Sequence, residues 1–310
     1  MNYGPLIFLA AFFAFAASWF GFVLTPQMQV GHLQQTNTVP ANAPYPLARP
    51  GLARDGLEVY RANGCAYCHS QQVRQTGVAC NVVLSDVGTN QAAVVKALLD
   101  VKAAPNEAAA RQMLVQLPHP ILVGQTKPAA DAAAKELTSA GAKAQVWVIP
   151  EGPEIARGWG KRRTVAEDFA FDYPVLLGSQ RVGPDLANVG LRMPDVNWHL
   201  RHLYAPRGEV PGSTMPPYKF LFEKRRMRNT PSAEALSLPL GMAPEPGYEI
   251  VPTRDARALV EYVLSLRASE PLFVAPVTVA APAAPPSTNE PAGQGGTATN
   301  APATNSPAVK

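Results

Sequence analysis

An uncharged apolar segment near the N-terminus constrains the fold more than any other feature of the sequence. Residues 5–24 read PLIFLAAFFAFAASWFGFVL and carry no charged side chain. A helix of about 20 apolar residues spans the hydrocarbon core of a bilayer and satisfies its own backbone polar groups there. A cleaved signal peptide would begin with basic residues and continue with polar ones, whereas apolar residues from Trp19 to Leu24 follow the alanines here. A buried core helix is rarely so long and apolar. We therefore predict an uncleaved transmembrane anchor over residues 5–25.

Charge and cysteine content exclude two other classes of protein. The 310 residues carry a formal net charge of +4, which is too small to indicate a nucleic-acid partner. Three cysteines are too few for a disulfide framework. Lys and Arg are absent before Arg49, so the distribution of positive charge does not orient the anchor in the membrane.

The rest of the chain divides by composition. Residues 26–50 are polar and Pro-rich and are predicted to be a linker. Residues 269–310 are almost all Ala, Pro, Thr and Asn, so we predict a disordered tail that buries too little apolar surface to fold. Residues 78–149 differ from both flanks. They contain three Ala-rich helical runs (AAVVKALLDV, EAAARQMLVQL and PAADAAAKELTSAG) and two strand-like runs (CNVVLS and KAQVWVIP). This pattern predicts an inserted α+β domain, with Cys80 as a small core residue.

Helical patterns occur in three further segments. RDGLEVYRANGCAYCHSQQVR reads as a helix, and a second helix is expected around DVNWHLRHLY. TRDARALVEYVLSLR (253–267) places Ala258, Leu259, Tyr262 and other apolar residues on one face. Thr253 is a suitable N-cap for this last helix.

The motif Cys65-Ala-Tyr-Cys68-His69 has the spacing of c-type haem attachment. Two thiols one turn apart can form thioethers with the haem vinyl groups, and the adjacent imidazole can bind the iron. Two alternatives remain open. One is a structural zinc site that adds His199 and His202 to the cysteines, and the other is a redox dithiol, which has no need of His69.

A methionine is the expected second axial ligand, because Met raises the potential and suits electron transfer. Met215 lies in STMPPY, where Pro211, Pro216 and Pro217 restrict the loop and reduce the entropy lost on ligation. Met193, in LRMPD, is the alternative, and either residue could be an ordinary surface-loop methionine.

Residues around GPDL are expected to support the haem. The Pro184 carbonyl is placed to accept a hydrogen bond from the His69 ring and fix its orientation, and Leu186 to pack on the porphyrin. Arg181 is expected either to balance a haem propionate or to be a solvated loop residue. His199 and His202, one helical turn apart, are expected to be hydrogen-bonded structural histidines.

The segments VYRANGCAYCHSQQVR, YPVLLGSQRVGPDLANVG and WHLRHLYAPRGEVPGSTMPPY together resemble the membrane-anchored mono-haem cytochrome c subunit (subunit II) of cbb3-type cytochrome c oxidases. The resemblance covers residues 5–77 and 150–268. It implies a mainly α protein, with a transmembrane helix and a class I-like cytochrome c domain formed by residues 51–77 and 150–268. It also implies one covalently attached haem c, ligated by His69 and Met215.

By the same resemblance, the chain carries no catalytic residue and no copper, and it relays electrons towards the haem–copper catalytic subunit. Its partners would be that subunit, the other cytochrome c subunits of the complex and membrane lipid. Thioether formation takes place outside the bacterial cytoplasm, so the haem domain is expected on the periplasmic side of the inner membrane. The similar mono-haem subunit of nitric oxide reductase is the alternative within electron transfer.

The insertion departs from this family. Residues 78–149 resemble the C-terminal domain of the bacterial ribosomal stalk protein, which has a strand, two helices, a strand, a helix and a last strand. AAPNEAAARQML lacks the Gly-Leu turn and most of the basic residues of the factor-binding face of that domain, so translation-factor binding is not expected. A scaffold or docking protein that acts through this insertion is the alternative from a different class.

Overall fold

The computed structural model describes residues 3–31, 33–239 and 241–278. Its N-terminal part is one helical run, made of α1 (Gly4–Trp19), a π-helical turn (Phe20–Leu24) and α2 (Thr25–Val30). Within the 25 residues Gly4–Met28, the most apolar window of 18 residues has a mean hydropathy of 2.2, and none of that window is buried within the protein. At 1.5 Å per residue such a helix is about 37 Å long, more than the ~30 Å core of a bilayer. The predicted anchor is therefore a candidate membrane span.

A linker connects this run to the first helix of the folded part. Its strands β1 (Thr36–Asn37) and β2 (Pro44–Tyr45) pair antiparallel, and α3 (Gly51–Ala62) follows. The sequence predicted that this helix continues through CAYCH to Arg74, which is wrong. Gly64 adopts a left-handed conformation with φ of 66°, so the helix ends and Cys65–Tyr67 form a 3-10 turn.

The insertion has its own sheet and core. Its elements are β3 (Gly77–Asp86), α4 (Gln91–Asp100), α5 (Glu107–Met113), β4 (His119–Gln125), α6 (Lys127–Ser139) and β5 (Lys143–Glu151). The sheet is antiparallel, with β3 between β4 and β5. Asn90 and Asn106 cap α4 and α5 by accepting hydrogen bonds from the backbone N–H groups of Ala93 and Ala109. This element order is the predicted one, although periodicity alone missed β4.

The remaining elements return the chain to α3. They are α7 (Pro153–Ala156), α8 (Val189–Arg192), α9 (Val196–Tyr204), α10 (Pro206–Glu209), β6 (Phe222–Arg226), β7 (Tyr248–Pro252) and α11 (Arg254–Ser265). The predicted helices α9 and α11 are confirmed, and Thr253 caps α11 through the backbone N–H of Ala256 at 3.3 Å. The antiparallel β6–β7 hairpin was not predicted, because FEKRR shows no apolar alternation.

The crossing of α3 and α11 organises the core nearest the CAYCH motif. A Cβ on Gly56 would lie 1.9 Å from the Ala258 carbonyl oxygen, so only glycine permits this approach. The rings of Tyr60 and Tyr262 lie 5.1 Å apart beside it. We call this buried cluster the helical core, and it includes Leu57, Tyr60, Leu186, Val189, Leu200, Leu203, Leu259 and Tyr262.

Two predictions about the fold need correction. The chain is mixed α/β rather than mainly α, because the insertion and the β6–β7 hairpin add sheets to the helices. The tail was predicted to begin at residue 269, but Leu272 and Ala275 are buried in a cluster with Tyr45 and Val165. The Ala/Pro-rich composition of this segment predicted disorder, although these two residues pack against the folded part. Residues 279–310, the rest of the predicted tail, lie outside the described residues.

Candidate functional site

The CAYCH motif lies in a tight turn just after α3. The Cys65 carbonyl accepts hydrogen bonds from the backbone N–H groups of Cys68 at 3.2 Å and His69 at 3.0 Å. Both thiols are free, with Cys65 half-buried and Cys68 exposed. Burial raises the pKa of the Cys65 thiol to about 12. The turn therefore keeps two unpaired thiols and the following imidazole within one short piece of backbone.

A second segment holds the His69 ring. Nδ1 lies 2.8 Å from the Pro184 carbonyl oxygen, which is the partner predicted from the sequence. A Cβ on Gly183 would lie 2.3 Å from Cε1 of His69, so the ring rests directly on the glycine backbone. Burial lowers the pKa of His69, while Pro184 and Asp185 oppose the shift. The imidazole is thus neutral at pH 7, and the hydrogen bond at Nδ1 leaves Nε2 as the nitrogen able to bind a metal.

Backbone hydrogen bonds join the motif to residues 177–186 along their length. Gly183 N–H donates to the Cys68 carbonyl at 2.9 Å, and Leu186 N–H donates to the Ser70 carbonyl at 2.8 Å. In the other direction, Gln71 N–H donates to the carbonyl of residue 177, also at 2.8 Å. The two segments therefore form one unit, and Leu186 lies buried in the helical core.

Asp185 fixes this unit from inside. Its carboxylate is fully buried and accepts hydrogen bonds from Ser70 Oγ at 2.6 Å, Gln72 N–H at 2.8 Å and Ala187 N–H at 2.9 Å. A buried carboxylate is stable only when donors satisfy it, as these do. The Asp185 side chain therefore holds residues 70–72, which follow the motif, against the segment that contains Asp185 itself.

Arg181 is held by protein groups on both sides of the insertion. Its guanidinium pairs with the Glu154 carboxylate, donates from Nε to Ser70 Oγ at 2.7 Å and also donates to the Gln72 carbonyl. It lies over the Trp159 ring at 5.4 Å. It is not a solvated loop residue, and each of its nitrogens already has a protein partner. These contacts fix the loop, and the expectation that Arg181 balances a haem propionate stays a prediction.

Burial alone would raise the pKa of Glu154, but hydrogen bonds from Arg74 N–H and from the Arg181 and Arg74 guanidinium groups outweigh it and lower the pKa. Glu154 is therefore ionised at neutral pH and serves both arginines. It links the chain on the two sides of the insertion.

Met215 borders the helical core. Its side chain is partly buried against that core, as is Cys65. Met215 N–H donates to Ser213 Oγ at 3.3 Å, and Tyr218 N–H donates to the Leu203 carbonyl at 2.8 Å. These bonds tie the Pro-rich loop to the end of α9.

Met193 also borders the helical core, at the end of α8. Its carbonyl accepts a hydrogen bond from Nε2 of His199 at 2.8 Å, so His199 is a structural histidine, as predicted. In the described part of the chain, no cluster of three or more His, Cys, Asp or Glu side chains could hold a metal ion. The zinc alternative with His199 and His202 is therefore not supported. Cys80 is fully buried in the core of the insertion, as predicted.

Sequence reasoning missed several residues of the site. Gly183 and Asp185 flank the predicted Pro184, and only the turn signal of Gly-Pro pointed towards them. Gly178, with φ of 79°, would place a Cβ 2.2 Å from the His69 carbonyl oxygen. The role of Glu154 could not be predicted from its neighbours in the sequence, because its partner Arg74 lies 80 residues earlier.

Comparison with protein families gives one match within this site. The model of the family described as cytochrome c oxidase, mono-heme subunit/FixO, matches residues 150–241. The matched segment includes Arg181, Pro184, Leu186 and Met215 but not the CAYCH motif. A comparison with curated proteins found no match. The segment that supplies the partner of His69 is therefore similar to the mono-haem subunit of cytochrome c oxidase, a family that implies one haem within a multi-subunit oxidase.

Proposed function

We propose that this chain is the membrane-anchored mono-haem c subunit of a cbb3-type terminal oxidase and relays electrons to a separate haem–copper subunit. Cys65 and Cys68 hold the haem covalently, and His69 and Met215 are its axial ligands. The helical run Gly4–Met28 anchors the chain in the bacterial inner membrane, with the haem domain on the periplasmic side.

One observation carries this proposal. The CAYCH motif, outside the matched segment, is hydrogen-bonded along its length to residues 177–186, inside it. The imidazole of the motif and the carbonyl that orients it thus come from two parts of the chain that meet in one unit. A surface CxxCH sequence that arose by chance would have no reason to meet the family segment in this way.

The residues present fit a haem. Nδ1 of His69 is engaged by Pro184, which leaves the other nitrogen for iron, and Gly183 provides room for the ring. The two thiols are unpaired. A bound haem c supplies reversible one-electron chemistry. The protein orients the imidazole through Pro184 and Gly183, and it would supply a thioether sulfur from the Pro-restricted loop that carries Met215.

The first test concerns attachment. The full chain, produced with bacterial c-type haem maturation, is expected to retain haem after denaturation, whereas the Cys65→Ala/Cys68→Ala double variant loses it. Detergent extraction of native membranes is expected to copurify a copper-containing oxidase subunit. Haem that dissociates on denaturation from the unmodified chain, or the absence of such a subunit, would refute the proposal.

The second test concerns ligation. Met215→Ala is expected to lower the reduction potential and abolish the sulfur–iron charge-transfer band, because a methionine sulfur stabilises the reduced iron. Met193→Ala is the matched control, since both side chains border the same core. If only Met193→Ala removes the band, the axial ligand is Met193.

A further inference from the structure

A buried polar atom without a hydrogen-bond partner indicates a position where a bound group could supply that partner. Within the described residues, three buried side-chain atoms make no hydrogen bond: Oη of Tyr60, Nε of Arg192 and Nδ1 of His202. Arg192 already donates from a terminal nitrogen to the Asp185 carbonyl, and Tyr60 lies beside the Gln71 amide, which influences its pKa. Both have polar groups within reach, which leaves His202 as the informative case.

The His202 ring is held in place although Nδ1 has no partner. It stacks on Trp198, with ring centroids 4.7 Å apart and planes 8° from parallel. Burial first, and then the nearby His199 and His69, lower the pKa of His202 to about 4. The ring is therefore neutral at pH 7. A buried polar group left without a hydrogen bond costs roughly 1–3 kcal/mol.

The described part of the chain places no hydrogen-bond partner at Nδ1 of His202. Glu209, the carboxylate whose charge acts on His202, is bound by Arg201 through both oxygens, at 2.6 and 3.3 Å. His199 is engaged by the Met193 carbonyl. With the proton of the neutral ring on Nδ1, the missing partner is a hydrogen-bond acceptor, and His69 lies near enough to influence the pKa of His202. A haem ligated by His69 brings two carboxylates into this region.

We propose that Nδ1 of His202 donates a hydrogen bond to a propionate carboxylate of the haem and so positions the haem edge. This inference rests on the proposed function. A hydrogen bond to an ionised acceptor is about twice as strong as a neutral one and would satisfy the buried nitrogen. The same bond withdraws negative charge from the haem, and because that charge favours the oxidised iron, the bond raises the reduction potential.

Three substitutions separate the hydrogen bond from the packing. His202→Phe keeps a ring that can stack on Trp198 and removes the donor. His202→Asn places an amide nitrogen near the position of Nδ1 and gives up the stacking. His119→Phe is the control, because His119 is a partly buried histidine of the insertion, outside the helical core.

The reduction potential and the propionate bending band of the resonance Raman spectrum are measured on each holoprotein. His202→Phe is expected to lower the potential and shift the band, His202→Asn to remain near the unmodified protein, and His119→Phe to change neither. A loss of packing alone would follow the opposite order, with His202→Asn the more affected.

A measurement on the unmodified holoprotein guards against a variant that fails to fold. In the reduced protein labelled with 15N-histidine, a Nδ1–H resonance in slow exchange is expected in addition to that of His69. Its absence, or a His202→Phe protein with the potential and band of His119→Phe, would overturn this inference and leave the proposed function intact. An unmodified chain without covalent haem would overturn both.

Discussion

Replacing Gly183 with alanine should displace the ring of His69, the proposed axial ligand. A Cβ at this position would lie 2.3 Å from Cε1, 2.7 Å from Nδ1 and 2.9 Å from Nε2 of His69. The ring cannot swing away freely, because its Nδ1 is hydrogen-bonded to the Pro184 carbonyl at 2.8 Å. The substitution therefore forces either the ring or the 183–186 backbone to move.

The expected loss of stability is the sum of the overpacking at Gly183 and the loss of the His69–Pro184 hydrogen bond. Overpacking of a filled site costs about 1–3 kcal/mol, and the loss of one hydrogen bond about 0.5–1.5 kcal/mol. We expect Gly183→Ala to lower the free energy of unfolding by about 2–4 kcal/mol. Gly51→Ala is the matched control, because no atom lies within 4 Å of its added Cβ. It should change the free energy of unfolding by less than about 0.5 kcal/mol.

Denaturant unfolding of the holoprotein measures the stability, and the visible spectrum of the reduced protein measures the ligation. Gly183→Ala should show a lower midpoint and a loss of low-spin haem, while Gly51→Ala should match the unmodified protein. If Gly183→Ala keeps both the stability and the low-spin spectrum, the ring does not rest on Gly183 and the assigned orientation of His69 is incorrect.

Three other predictions concern the surroundings of the site. Arg162 is fully buried and pairs with Asp168, so Arg162→Met should cost about 3–5 kcal/mol in denaturant unfolding, and a cost below about 1 kcal/mol would contradict the buried pair. The pKa of Glu154 is lowered in the folded state, so its stabilising effect is present above the ordinary carboxyl pKa of about 4.3 and is lost as the pH falls through the folded value. The stability difference between the unmodified protein and Glu154→Gln should shrink over that acid range, and a constant difference would contradict the shift. Replacement of residues 78–149 by a short Gly/Ser linker should leave covalent haem incorporation unchanged, and loss of haem would mean that the insertion helps to build the haem domain.

The parts of the fold with local signals were predictable. The face of α11 follows from its 3.6-residue period, and its start follows from Thr253, whose hydroxyl accepts the Ala256 N–H. The Pro184–His69 hydrogen bond was predictable because a histidine that binds a metal usually donates its other ring N–H to a nearby carbonyl. In each case the deciding interaction lies within a few residues or follows from the chemistry of a known motif.

The parts that depend on distant residues were not predictable. Glu154 pairs with Arg181, but nothing near either residue in the sequence indicates the pair. The end of α3 was also missed, because its pattern continues beyond Ala62 while a left-handed conformation at Gly64 stops the helix. Ordering of residues 269–278 depends on Tyr45 and Val165, which belong to segments far away in the chain.

The insertion can lie between the two halves of the site because its ends meet. Its first and last strands pair, with Gly77 opposite Glu151 and Thr76 N–H donating to the Glu151 carbonyl at 2.9 Å. The chain thus leaves the motif segment and returns at nearly the same point, where Glu154 immediately binds Arg74. For such a connection, doubling the length adds only about 0.6 kcal/mol of closure entropy. Since the core of the insertion is separate from the helical core, its sequence is free to change without disturbing the ring of His69. The insertion is therefore compatible with an intact candidate site, and a role for it is to be sought on its outer surface rather than at His69.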